Sequence, residues 1–170
     1  LPKDLRALLY HARQLDQEPP VLQSVLRSNQ QQVEKAYQLI RRTRQKRIGV
    51  LGFSFKAGTD DLRESPMVAL VERLIGKGYQ LRVYDKNVSL AHLQGANQAY
   101  IEQEIPHIAS LMCNSMADVL ADCDVIVVGN GAPEFQQVLD QQGPEQIVID
   151  LVRINGETSQ LNGRYHGICW

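Results

Sequence analysis

RIGVLGFSFKAGTDDLRESP, residues 47–66, passes from an apolar run through a charged loop to a helix start. Ile48 to Phe53 is short, apolar and rich in Gly, Val and Ile, which predicts a strand covered on both faces rather than a surface helix. Lys56, Gly58, Thr59, Asp60, Asp61, Arg63 and Glu64 then crowd into a polar loop. Ser65 and Pro66 precede the helical pattern Met67, Val68, Leu70, Val71, Leu74, Ile75. Serine suits the N-cap because its oxygen accepts from an orphan N–H, and proline suits the first helical position because no donor is needed there. Strand, charged loop and helix N-terminus is the order of a ligand site in an open α/β sheet, where ligands lie beyond the carboxyl ends of parallel strands. A merely solvated connection has the same composition.

Beyond this helix, Gly76-Lys77-Gly78 supplies a C-cap and Gln80 to Tyr84 alternates as a second strand. Asp85 comes next, where an acidic side chain either bonds a ribose hydroxyl or simply makes a turn. Residues 87–106 are weakly patterned, with short helices predicted at Leu90 to Gln94 and Ala99 to Glu104, and Ile108 to Met112 reads as a short strand. A helix starts at Ser115, and Val125 to Val128 is the clearest parallel-type strand in the chain. A helix over Glu134 to Gln141, a strand over Gln146 to Asp150 and a last strand in Tyr165 to Trp170 complete the series. The alternation predicts an α/β fold, a Rossmann-like doubly wound parallel sheet, with Ile48 to Phe53 and Val125 to Val128 as neighbouring central strands.

Upstream, Leu5, Leu8, Leu9 and Ala12 predict a helix from Asp4 to Leu15, stopped by Pro19-Pro20. Val21, Leu22, Val25, Leu26, Val33, Ala36, Tyr37, Leu39 and Ile40 predict one long connecting helix to Thr43, on the order of 30 Å in length. Its apolar positions wind around more of the helix than one small domain would cover, which suggests a homodimer or higher assembly through this helix, or packing on a further domain. The basic cluster Arg41, Arg42, Arg44, Lys46, Arg47 either complements the helix C-terminus in solvent or meets a phosphate or a partner. The chain thus divides into residues 1–46 as helical connector and residues 47–170 as the α/β domain.

A net charge of −1 argues against general nucleic-acid binding, and no apolar run is long enough to span a bilayer. Cys113, Cys123 and Cys169 have neither CxxC spacing nor an obvious base, which disfavours a disulfide framework, a zinc site and a nucleophilic role, and fits reduced thiols in a cytoplasmic protein. His11, His92, His107 and His166 are scattered, so no metal is expected. The loop lacks the GxGxxG fingerprint: Gly49 and Gly52 are present, but Phe55 and Lys56 stand where close backbone approach wants small residues. Any phosphate grip must come from side chains, Lys56 as a point charge and Arg63 as a planar fork, unless Asp60, Asp61 and Glu64 neutralise both. The chain begins without Met, within what reads as a motif, and is expected to be part of a longer protein.

LPKD at Leu1 to Asp4, Ser28-Asn29 with Gln32, GFSFKAGTDDLRESP, Val83-Tyr84-Asp85 and ADVLADCDVIVV at Ala117 to Val128 together resemble the nucleotide-sugar 6-dehydrogenases, the UDP-glucose and GDP-mannose dehydrogenase family. The resemblance covers nearly the whole chain and is nearest the bacterial branch acting on GDP-mannose, which feeds alginate synthesis; UDP-glucose oxidation and a non-catalytic nucleotide-binding or dimerisation module are the alternatives. It implies NAD as cofactor and two successive hydride transfers from C6 of the sugar, through a thiohemiacetal and a thioester on a cysteine. That cysteine would immediately precede Leu1, so the 170-residue chain alone is expected to be inactive, with Lys3 and Asp4 on a frayed end. Carried over position by position, Lys3 resembles the lysine contacting NAD and Asp4 the aspartate that assists proton transfer. Lys56 resembles the lysine on the nucleotide-sugar with Phe55 packing beside it, and Arg63 the arginine reaching the cofactor across the cleft. The resemblance assigns no role to Asp85.

Overall fold

A computed structural model describes residues 2–88, 108–154 and 164–168. The helices expected at residues 90–94 and 99–104, Cys169 and Trp170 lie outside the described residues. Helices α1 (Pro2–Gln14) and α2 (Pro20–Thr43) lead into β1 (Arg47–Leu51), α3 (Pro66–Gly76) and β2 (Gln80–Tyr84). Further along come α4 (Ile108–Leu111), α5 (Met116–Asp122), β3 (Val125–Val128), a 3-10 turn (Pro133–Gln137), α6 (Val138–Gln141), β4 (Ile147–Asp150) and β5 (Tyr165–Gly167).

The strands form one sheet in the order β2-β1-β3-β4-β5, every pairing parallel. Register places β1 between two partners: Ile48 stands opposite Leu81 on one side and Val125 on the other, and Leu51 opposite Tyr84 and Val128. The two apolar runs are therefore adjacent, as their two-sided hydrophobicity requires, and Val125 to Val128 are fully buried. Alternate residues feed two cores. Ile48, Val50, Val83 and Val127 pack with Tyr37 and Ile40 of α2 and Leu70 and Leu74 of α3. Leu51, Ile126, Val128 and Val148 pack with Val119 of α5, Phe135 and Val138. Helix on sheet on helix is the three-layer arrangement that a parallel sheet needs to cover both faces.

Three local expectations change. The chain leaves β1 at Leu51, before Phe53, because Gly52 takes a positive φ of 84° that no strand continues through. Ile108 to Leu111 is a helical turn, not a strand: Ile108 is buried in the core shared with Val83, and the pairing with the sheet is limited to a single parallel bridge from Met112 to Val83. The helix expected over Glu134 to Gln141 divides into the 3-10 turn and α6, after Pro133 at the first helical position.

The 24-residue α2 buries only Ala36, Tyr37 and Ile40, all in its last third, whereas Val21 near its start is 74% exposed. In α1, Leu9 is buried while Leu8, Tyr10 and, just past its end, Leu15 stay open to solvent. Among the described residues no helix is long and apolar enough to cross a membrane.

Candidate functional site

The sheet order turns back on itself at β1: the chain goes outward to β2, then returns past β1 to β3 and onward. At such a switch point the loops after adjacent strands diverge and leave a crevice at the carboxyl ends, here those of β1 and β3. The strands come very close there. Gly129 N–H donates to Leu51 O at 2.8 Å, and a Cβ on Gly129 would lie 2.5 Å from Gly52 O.

One buried carboxylate organises the crevice. Asp85 Oδ2 accepts from Phe53 N (2.8 Å), Ser54 N (2.9 Å), Ser54 Oγ (2.9 Å) and Asn130 Nδ2 (3.3 Å), while Oδ1 accepts from Asn87 N (3.0 Å). Asp85 is 5% exposed, so these donors replace its water and tie the loops after β1, β2 and β3 together. A ribose could not reach a carboxylate so occupied; Asp85 takes the structural of its two roles.

The loop between β1 and α3 is pinned by its own chemistry. Phe55 N donates to Asp61 O (2.8 Å), Thr59 Oγ1 to Lys56 O (2.8 Å), and Leu62 inserts fully into the core. Ser65 Oγ donates to Phe53 O (3.0 Å) and accepts from Met67 N (3.2 Å), joining loop entry to helix start. Lys56 is exposed and makes no ion pair among the described residues. Arg63 is not free: its fork lies on Asp61, Nε to Oδ1 and Nη2 to Oδ2, both 2.9 Å. The hydrogen bond from Arg63 holds the Asp61 carboxyl below its ordinary range, and the same bond raises Arg63. Lys3 lowers Asp61 further through space.

Helix α1 closes against this loop. Pro2, Lys3 and Asp4 in its first turn, with Phe55, Asp61, Arg63 and Glu64, line a cavity of ≈ 140 Å³. Arg6 pairs with Glu64 Oε1, and Arg6 lies one helical turn from Lys3, so the pair fastens that face of α1 to the loop. Lys3 and Asp4 thus face a cleft in a formed helix, contrary to the frayed end expected from sequence, because tertiary contacts hold a turn that propensity alone would not. Glu64 adopts φ 56°, and its Oε2 is buried without a partner. Phe55, 39% exposed, also borders a wider groove of ≈ 680 Å³ between α2 and the start of α3. Four of the five residues singled out from sequence, Lys3, Asp4, Phe55 and Arg63, come together around one cavity. Lys56 lies on the same loop outside it. Sequence reasoning missed Asn130 and Arg6 and set Glu64 against Lys56 and Arg63 instead of Arg6; only the spacing of Arg6 from Lys3 carried a local signal. Among the described residues no group of three His, Cys, Asp or Glu side chains could hold a metal.

The profile of the UDP-glucose/GDP-mannose dehydrogenase family, UDP binding domain, matches residues 49–156. Over all 170 residues the chain is 49% identical to the GDP-mannose 6-dehydrogenase of Pseudomonas aeruginosa, spanning 38% of that protein's length. A UDP-glucose 6-dehydrogenase of Haloferax volcanii is 34% identical over 90% of the chain and 34% of its own length. The crystal structure of a ternary complex of GDP-mannose dehydrogenase from Pseudomonas aeruginosa superposes with a TM-score of 0.90 at 49% identity, over the whole chain and 38% of that structure. The chain therefore spans less than half the length of the relatives it matches. With the parallel sheet, the loop at its switch point and the family profile in agreement, the chain belongs to the UDP-glucose/GDP-mannose dehydrogenase family.

Proposed function

We propose that this chain is the C-terminal, nucleotide-sugar-binding part of an NAD-dependent enzyme that oxidises C6 of GDP-mannose to GDP-mannuronate, an alginate precursor. The observation that carries this reading is the cavity where Lys3 and Asp4 of α1 meet Phe55 and Arg63 of the loop, at the carboxyl ends of parallel strands. A binding module alone has no need of an acid-bearing helix face fastened to its loop by an Arg6–Glu64 pair. The higher identity to a GDP-mannose than to a UDP-glucose dehydrogenase, 49% against 34%, favours the guanine nucleotide.

In this reading residues 1–46 connect and residues 47–170 form the nucleotide-sugar domain. Lys56, exposed and without an ion pair among the described residues, binds the nucleotide-sugar, with Phe55 packing beside it. Lys3 and Arg63 present the side-chain cations that suit an anionic cofactor where the glycine fingerprint is missing, and would hold NAD. NAD supplies the hydride acceptor. Asp4 supports proton transfer in the same cavity, and Asp61 holds the Arg63 guanidinium in place until a ligand anion competes for it. Leu8 and Tyr10 of α1, Leu15 in the turn after it and Val21 of α2 leave apolar surface open, which supports a homodimer or a further domain packed there, in a cytoplasmic enzyme.

The test is NADH formation by the full-length protein with GDP-mannose and with UDP-glucose. Faster turnover of GDP-mannose is expected; preference for UDP-glucose, or no turnover of either, overturns the reading. Lys56→Ala should weaken GDP-mannose binding by roughly 1.5–3 kcal/mol, the worth of one charge-assisted bond, without unfolding the protein. Unchanged affinity by calorimetric titration removes Lys56 from the site.

A further inference from the structure

The opposite end of the sheet carries a second cavity. There α2 ends at its C-cap Arg44, α3 ends at its C-cap Lys77, and β1 and β2 begin. Tyr37, Arg41, Arg44, Gln45, Lys46, Lys77 and Tyr79 line an open hollow of ≈ 330 Å³. Four cations line it and no carboxylate does. The neighbouring acids are already engaged elsewhere: Glu34 pairs with Arg73, and Asp124 with Arg47. Glu34 reaches Arg41 only through space.

Part of this charge answers the two helix ends. A helix C-terminus carries about half a negative charge, so two ends offset roughly one cation of the four. About three positive charges remain, gathered in a concave space of the size that small ligands fill. The cations are also partly ordered in advance: Lys46 Nζ sits 4.2 Å over the Tyr79 ring, and the nearby Arg73 guanidinium 4.1 Å over that of Tyr37. Arg44 is held in the left-handed region at φ 61°, its N–H bonded to Arg41 O, which fixes where its side chain departs. Burial raises the Tyr79 hydroxyl above its ordinary range, so it stays a protonated donor at neutral pH.

We propose that this cavity is a second anion site, which takes a small ligand bearing two phosphoryl groups and is separate from the nucleotide-sugar site. A phosphoryl group carries about −1.5 to −2 charges near neutral pH, so two of them match the residual charge where a single carboxylate would not. Guanidinium forks suit phosphate oxygens geometrically, and the small volume of this open hollow suits a small molecule rather than an extended acidic chain. The two sites lie at opposite ends of the strands, so their ligands do not compete.

The probe is inorganic pyrophosphate, titrated calorimetrically into full-length protein saturated with GDP-mannose, with inorganic phosphate as the single-group comparison. One pyrophosphate site per chain is expected, binding more tightly than phosphate. Losing two charge-assisted contacts in Arg44→Asn/Lys77→Gln should weaken it by about a hundredfold or more, with Lys56→Ala leaving it unchanged. Asparagine is chosen because it tolerates the left-handed backbone, and Lys77→Gln alone serves if the double variant fails to fold. No binding, binding indifferent to these substitutions, or binding abolished by Lys56→Ala overturns the proposal. Should GDP-mannose itself fail to bind, the nucleotide-sugar reading falls, while titration of the free Lys56→Ala protein still reads the distal cavity.

Discussion

Replacing Asp85 tests whether one buried carboxylate holds the ligand loop to the sheet. In Asp85→Ala, Phe53 N and Ser54 N lose the oxygen that accepts from both, and Ser54 itself is 1% exposed, so water cannot readily replace it. Each orphaned buried donor costs about 1–3 kcal/mol, which gives roughly 2–6 kcal/mol for the pair. That is a large share of a typical domain stability of about 5–15 kcal/mol. Asp85→Asn keeps one acceptor oxygen for these two amides but gives up the charge and the Asn87 contact, so an intermediate loss is expected. Equilibrium urea unfolding followed by far-ultraviolet circular dichroism measures both. Where Asp85→Asn remains folded, its GDP-mannose affinity should also fall, because the loop bearing Phe55, Lys56 and Arg63 is then less firmly placed. An Asp85→Ala protein within about 0.5 kcal/mol of the parent, the range of an indifferent surface change, would mean that the carboxylate does not hold the loop.

Gly129→Ala should destabilise by about 1–3 kcal/mol or more, read as a lowered thermal midpoint, because the new methyl meets the Gly52 carbonyl at 2.5 Å and backbone cannot step aside. Arg63→Ala should raise KM for NAD while changing stability by no more than about 1 kcal/mol, since the Arg63–Asp61 pair is exposed; an unchanged KM removes Arg63 from the cofactor's reach. The Cys123 thiol is pushed up to about 12, chiefly by burial, so it should resist alkylation in the native state. Its folded value exceeds the ordinary 9.0, so its contribution is complete below pH 9 and is lost as pH rises toward 12. Cys123→Ala should therefore show a shallower alkaline loss of stability than the parent, and identical pH profiles would contradict this.

The parallel sheet was legible in the chain because strands buried on both faces must be apolar throughout, and Ile48 to Leu51 and Val125 to Val128 have no other use for that pattern. Ser65-Pro66 likewise marked a helix start through chemistry that acts within three residues, and the Ser65 hydroxyl does accept from Met67 N. Short-range codes fail where long-range contacts choose between nearly equal local options. Ile108 to Met112 is too short to declare a period, and packing of Ile108 into the core decided for a helical turn. Asp85 suited either a ribose or a turn by sequence; donors from Phe53, Ser54 and Asn130, brought in by two other strands, settled it. The loop's charges were visible from the start, but which of them pair depends on distance. Asp61 lies close enough to hold Arg63, and Glu64 turns to Arg6 on a helix that sequence places far away. Sequence alone supplied the residue types that a ligand loop requires. Only the fold brought α1 onto that loop and made Lys3, Asp4, Phe55 and Arg63 the walls of one cavity, since proximity across a chain is a property of packing, not of order.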